Sequence, residues 1–158
     1  MKYTFVFSML LLLTSCKYFD VEKTTSEAIL NEELKTFDWN DVDTYPSFSE
    51  CDSLISKSEK KQCFQHHLSS HILKFLQDEV IVVTKDIHDT LNLHFKVSEK
   101  GVLTLLDTKV DSLTIKEIPN INELINNSLN SLPTIYAAIK HDQYVKTEFE
   151  LPIVIKVE

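Results

Sequence analysis

The last fifteen residues, YVKTEFELPIVIKVE, constrain the fold of this chain more than any other stretch. Val145, Thr147, Phe149, Leu151, Ile153, Ile155 and Val157 share one side of an extended backbone, while Lys146, Glu148, Glu150 and Lys156 take the other. Side chains alternate between the faces of a strand, so this pattern predicts one long strand half-buried against a core. Pro152 has no N–H to donate, so one edge of the strand should be open near it. The stretch TLNLHFKV repeats the pattern, with Leu91, Leu93, Phe95 and Val97 on one face. Glu99-Lys100-Gly101 makes the turn, using the only glycine of the chain where positive φ is needed. VLTLLDTKV returns as a second strand, expected to continue irregularly into DSLTIKEI, and EVIVVTKDI reads as a short extended run.

Two segments carry the helical period instead. KKQCFQHHLSSHILKFLQD places Phe64, Leu68, Ile72, Phe75 and Leu76 on one stripe. In the second, Asn120 is the expected N-cap, Glu123 closes a capping box, and Ile121, Leu124, Ile125, Leu129 and Leu132 form the stripe before Pro133 stops the helix. The predicted class is α+β: a three-stranded antiparallel sheet with two helices on one face, which buries both stripes.

The chain begins MKYTFVFSMLLLLTSC. Its apolar run is far shorter than the roughly 20 residues that cross a bilayer. A basic start, a short apolar centre and small residues at its end read as a secretory signal. Leu13-Thr14-Ser15-Cys16 resembles the lipobox of bacterial lipoproteins, which implies removal of residues 1–15 and acylation of Cys16 by palmitate-type chains. Two or more acyl chains anchor a protein durably without spanning the membrane. Lys17, rather than Asp, follows that cysteine, which implies the outer membrane, with the protein facing the periplasm. The alternative is an ordinary signal peptide in which Cys16 has no role. Residues 17–45 hold eight acidic and three basic side chains, so residues 16–45 read as an acidic tether. Within it, SEAILNEELKTF suits a short helix bearing Leu30, Leu34 and Phe37, with Trp39 docking on the domain of residues 46–158.

Cys51 and Cys63 remain. An exported chain lives where disulfides persist, and two cysteines suffice for one bridge; two free thiols are the alternative. A net charge of −8 argues against a nucleic-acid partner, whose affinity comes from Lys and Arg on phosphates. Cys63, His67 and His71 stand four residues apart along one helix side, a spacing that binds zinc in other settings. Leu68 occupies the position where H-E-x-x-H requires its glutamate, and His71 lies within the apolar stripe, so the expectation is a core histidine with a hydrogen-bond partner and no metal. Asp86, His88 and Asp89 read as a solvated turn. No Gly-x-Ser-x-Gly elbow occurs and no serine has an evident base, so neither an enzyme nor a cofactor is expected.

The order YPSFSEC, KKQCF, helix, NLHFKVSEKGVL, and SLNSLPTIYAAIKHDQYVKTEFELPIVI resembles the C-terminal domain of the TonB energy-transducer family across residues 46–158. Pro46, Phe48 and Cys51 match its P-x-F-x-x-C opening, and Cys63-Phe64 its second element. The chain departs from the family in EVIVVTKDIHD after the first helix and in lacking glycines around His141-Asp142. It also has a lipidation motif in place of the transmembrane anchor and Pro-rich reach. The resemblance implies the fold and a peptide-binding mode, not force transduction. It implies that an outer-membrane receptor or transporter peptide adds as a strand along Val145, Lys146, Thr147, Glu148, Phe149, Glu150 and Leu151. The other expectation is a structural lipoprotein, a folded spacer or assembly subunit that binds no peptide, with this edge covered or blunted.

Overall fold

The protein is seen as a computed structural model that describes residues 37–38 and 41–157. In chain order it contains β1 (Phe37–Asp38), β2 (Ser47–Phe48), a single 3₁₀ turn (Ser49–Cys51), α1 (Lys57–Asp78), β3 (Ile87–Val97) and β4 (Leu103–Lys109). There follow α2 (Ser112–Glu117), α3 (Ile121–Leu129), β5 (Ile135–Tyr136), β6 (Ala138–Lys140), β7 (Gln143–Val145) and β8 (Thr147–Val157).

The α+β class holds, and the three long strands form an antiparallel sheet with β3 in the middle, flanked by β4 and β8. Registers Leu91↔Ile153, Leu93↔Leu151 and Phe95↔Phe149 put the apolar alternations of β3 and β8 on one face. The rings of Phe95 and Phe149 lie 5.6 Å apart, and Phe64 of α1 meets Phe149 edge-on at 5.8 Å. Phe64, Leu68, Ile72 and Leu76 are buried at steps of one helical turn, while Phe75 stays half-buried. Each such side chain contributes about 1.5–3 kcal/mol relative to an exposed one. Ser56 starts α1 with a complete capping box: its hydroxyl accepts the Glu59 N–H, and the Glu59 carboxylate accepts the Ser56 N–H.

The hairpin turn needs Gly101. Its φ is +76°, and a Cβ there would stand 1.9 Å from the Ile135 carbonyl oxygen, because the turn lies against β5. Cys51 and Cys63 form the bridge, with Cα atoms 5.9 Å apart. It clips the 3₁₀ turn to α1, and the chain-entropy argument assigns a loop of this length about 3 kcal/mol.

Several elements differ from expectation. DSLTIKEI does not extend β4; it forms a third helix, α2, because Asp111 accepts the Leu113 N–H at 2.7 Å and caps it. Asp89 is no solvated turn either. It sits in β3, where one carboxylate oxygen accepts the Asp111 N–H at 2.9 Å and the buried Thr114 hydroxyl at 2.7 Å. Asn120 makes no side-chain cap bond: its ψ of 15° is not extended, so the side chain cannot reach back over the first turn as an N-cap does. Glu79–Asp86 forms no regular strand; Ile81 and Val83 pack on the core while Val80 and Val82 stand exposed. Glu117 ties this segment down, accepting the Thr84 N–H at 2.7 Å and its hydroxyl at 2.8 Å. Those two bonds, the N–H first, hold the Glu117 carboxyl below its ordinary value.

Residues ahead of Pro46 also join the domain. Val42 and Tyr45 are buried, with Lys57 and Lys61 over the Tyr45 ring at 5.0 and 5.1 Å. Asp43 accepts the His141 N–H at 2.7 Å in the β6–β7 hairpin. That N–H, then the nearby Lys140, lowers the Asp43 carboxyl. His141 and Asp142 both have positive φ (48° and 62°), as a two-residue turn matched to strand twist requires.

Candidate functional site

The edge of β8 that faces away from β3 is the feature around which a binding site can be built. Thr147, Phe149, Leu151, Ile153 and Ile155 point into the core, and Glu150, Pro152, Val154 and Lys156 are exposed on the opposite face. One edge of β8 is paired along its length with β3. On the other edge, among the described residues, Thr147 and Glu148 are paired. Their partners are Phe37 and Asp38 of β1, which run parallel. Among the described residues β1 is the one strand on that edge of β8. Pro152 falls in the middle of β8, opposite Asn92, and has no N–H to give to a ladder.

The seven positions singled out in the sequence divide at this point. Val145 ends β7, is buried, and pairs with Ala138; Lys146 is the half-buried joint before β8. Thr147 is fully buried, and its hydroxyl oxygen makes no hydrogen bond among the described residues. Glu148 and Glu150 reach across the solvent face of the sheet, Glu148 to His94 at 3.5 Å and Glu150 to Lys109 at 3.4 Å. Phe149, Glu150 and Leu151 are thus the members of that set that follow the β1 pairing along β8. Phe37, expected at the end of a short helix, instead contributes its backbone to β1. Leu30, Leu34, Trp39 and the lipidation residue Cys16 lie outside the described residues.

At the far end of β8 the edge meets a cavity of about 440 Å³ between the end of α1 and the start of α3. Leu73, Leu76, Ile81, Ile121, Ile155 and Val157 supply its apolar wall. Nothing in the sequence signals it, because its walls come from segments that are distant along the chain.

The histidines separate. His71 is half-buried, and its Nε2 lies 3.0 Å from the Ser128 carbonyl and 3.1 Å from the Ser131 hydroxyl, joining α1 to the end of α3. That is a structural bond between helices. His67 is exposed and stands beside the Cys51–Cys63 bridge, with its ring 6.0 Å from Phe48. Among the described residues no helix is long and apolar enough to cross a membrane. Comparison with known protein families, curated proteins and solved structures returned no match to this chain.

Proposed function

We propose that this chain is a lipid-anchored envelope protein, held at the outer membrane through Cys16. Its domain takes an extended segment of a receptor or transporter against the outer edge of β8. The reading is carried by one observation: β8 is paired along its length with β3 on one side, and on its other side the described strand is the two-residue β1 at Thr147 and Glu148. Strand addition satisfies such an edge with main-chain hydrogen bonds, and alternate side chains select the partner. The lipobox-like end of the apolar run supports the anchor, and the order of elements resembling a TonB C-terminal domain supports the binding mode. The role is recognition without catalysis.

A second reading is favoured by a specific contact. Phe37 and Asp38 already lie along Thr147 and Glu148, as they would in a folded spacer that covers its own edge. Photoreactive residues at position 150 and, separately, at position 154 discriminate the two in living cells. Val154 is 57% exposed, so a probe there disturbs no packing. Adducts with an integral envelope protein support strand addition. A folded, acylated chain giving no adduct at either position overturns it and leaves the spacer. Mass spectrometry of the mature N-terminus tests the anchor, which fails if Cys16 is unacylated.

A further inference from the structure

The cluster at the disulfide offers chemistry that the strand edge does not use. Cys63 and His67 are one helical turn apart on the same side of α1, and the 3₁₀ turn brings Cys51 to them. The two sulfurs and one imidazole nitrogen all lie within 4.8 Å of one another. His67 is exposed, Cys63 half-buried and Cys51 fully buried, so the cluster has one open side and a protein floor. Phe48, stacked on Phe64 at 5.0 Å, forms part of that floor.

We propose that Cys51, Cys63 and His67 form a zinc-type divalent metal site that is the reduced alternative to the disulfide. Thiolate and imidazole are the ligands zinc prefers, and three protein ligands leave a fourth position to solvent. A helical pair at this spacing chelates from one face. The sulfurs start bonded to each other, so metal and bridge exclude one another. A dithiol reductant supplies two electrons and two protons to the bridge, giving two thiols while the dithiol itself becomes a disulfide. Zinc then displaces both thiol protons and takes the lone pair of neutral His67. The elements need not rearrange, since the bridge already holds the two Cα atoms 5.9 Å apart, within reach of one ion. The site is therefore gated by thiol redox state: closed to metal when oxidised, open when reduced.

The test uses the full chain in detergent, with the bridge intact or reduced by a phosphine under argon, titrated with Zn²⁺ and with Co²⁺. Wild type is compared with His67→Ala and with His66→Ala, whose exposed histidine lies outside the cluster. The expected result is one zinc per reduced chain, none with the bridge intact, and a tetrahedral cobalt spectrum with thiolate charge transfer. Loss of a residue that merely orients a ligand costs about 10–100-fold in affinity, so His67→Ala should weaken binding at least that much, and His66→Ala should not. No uptake by the reduced chain, or equal affinity in wild type and His67→Ala, overturns the proposal. Circular dichroism covers the case of a reduced chain that loses its helices: zinc must restore them, and failure to do so is equally fatal.

Discussion

Replacing Gly101 by alanine tests how the β3–β4 hairpin is seated. The residue has φ +76°, and holding an L-residue in that left-handed region costs about 1–2 kcal/mol. The new methyl would also lie 1.9 Å from the Ile135 carbonyl oxygen, whereas ordinary contact begins near 3.4 Å. The turn and β5 must therefore separate by about 1.5 Å, the difference between those distances. β5 cannot yield freely, because Ile135 pairs with Phe48, which is fully buried and stacked on Phe64. Forcing extra volume into packed structure typically costs about 1–3 kcal/mol, so Gly101→Ala should destabilise by about 2–5 kcal/mol in total. Urea denaturation followed by far-ultraviolet circular dichroism measures this, with the disulfide intact in both proteins. At about 4 °C per kcal/mol for a domain of this size, the melting temperature should fall by about 8–20 °C. A loss below about 1 kcal/mol, no more than an ordinary surface change, would refute both the left-handed turn and its contact with β5.

Two further outcomes follow from the polar contacts. Asp89→Ala removes the acceptor for the Asp111 N–H and strands the buried Thr114 hydroxyl, so it should cost about 1–3 kcal/mol. Combined with Thr114→Val, the loss should be less than the sum of the single changes, because the stranded hydroxyl is gone; full additivity in the denaturation cycle would contradict the bond. Glu117 titrates below its ordinary value of 4.5 because Thr84 donates twice to it. A depressed carboxyl adds stability that is complete above the ordinary value and is lost as pH falls through the folded value. The gap in urea midpoint between wild type and Glu117→Gln should accordingly be present at neutral pH and close as pH drops below about 4.5; a gap independent of pH would show that the carboxylate charge is not responsible.

The alternations of β3 and β8, the stripe of Phe64, Leu68, Ile72 and Leu76, and the glycine of the hairpin were all legible in the residues. Periodicity records which face of an element meets the core, and that is a local property. The bridge between Cys51 and Cys63 followed from cysteine count and from reading the first residues as an export signal, with free thiols as the alternative. Helix α2 was missed because Ile115 and its neighbours read as strand; Asp111 caps it locally, and Asp89, more than twenty positions away, fixes that cap and the buried Thr114 hydroxyl. Asn120 had the composition of a cap without the backbone for it.

The same division governs the candidate sites. Sequence alone determined that β8 is long, half-buried and lacks an N–H at Pro152, because alternation and a missing N–H are written residue by residue. Only the tertiary structure decided that β8 lies between β3 and the short β1, that Phe37 and Asp38 pair with its first two residues, and that His67 rather than His71 faces the sulfurs. Those outcomes depend on which distant segments meet, and hydrophobic burial sets that by packing whole faces together.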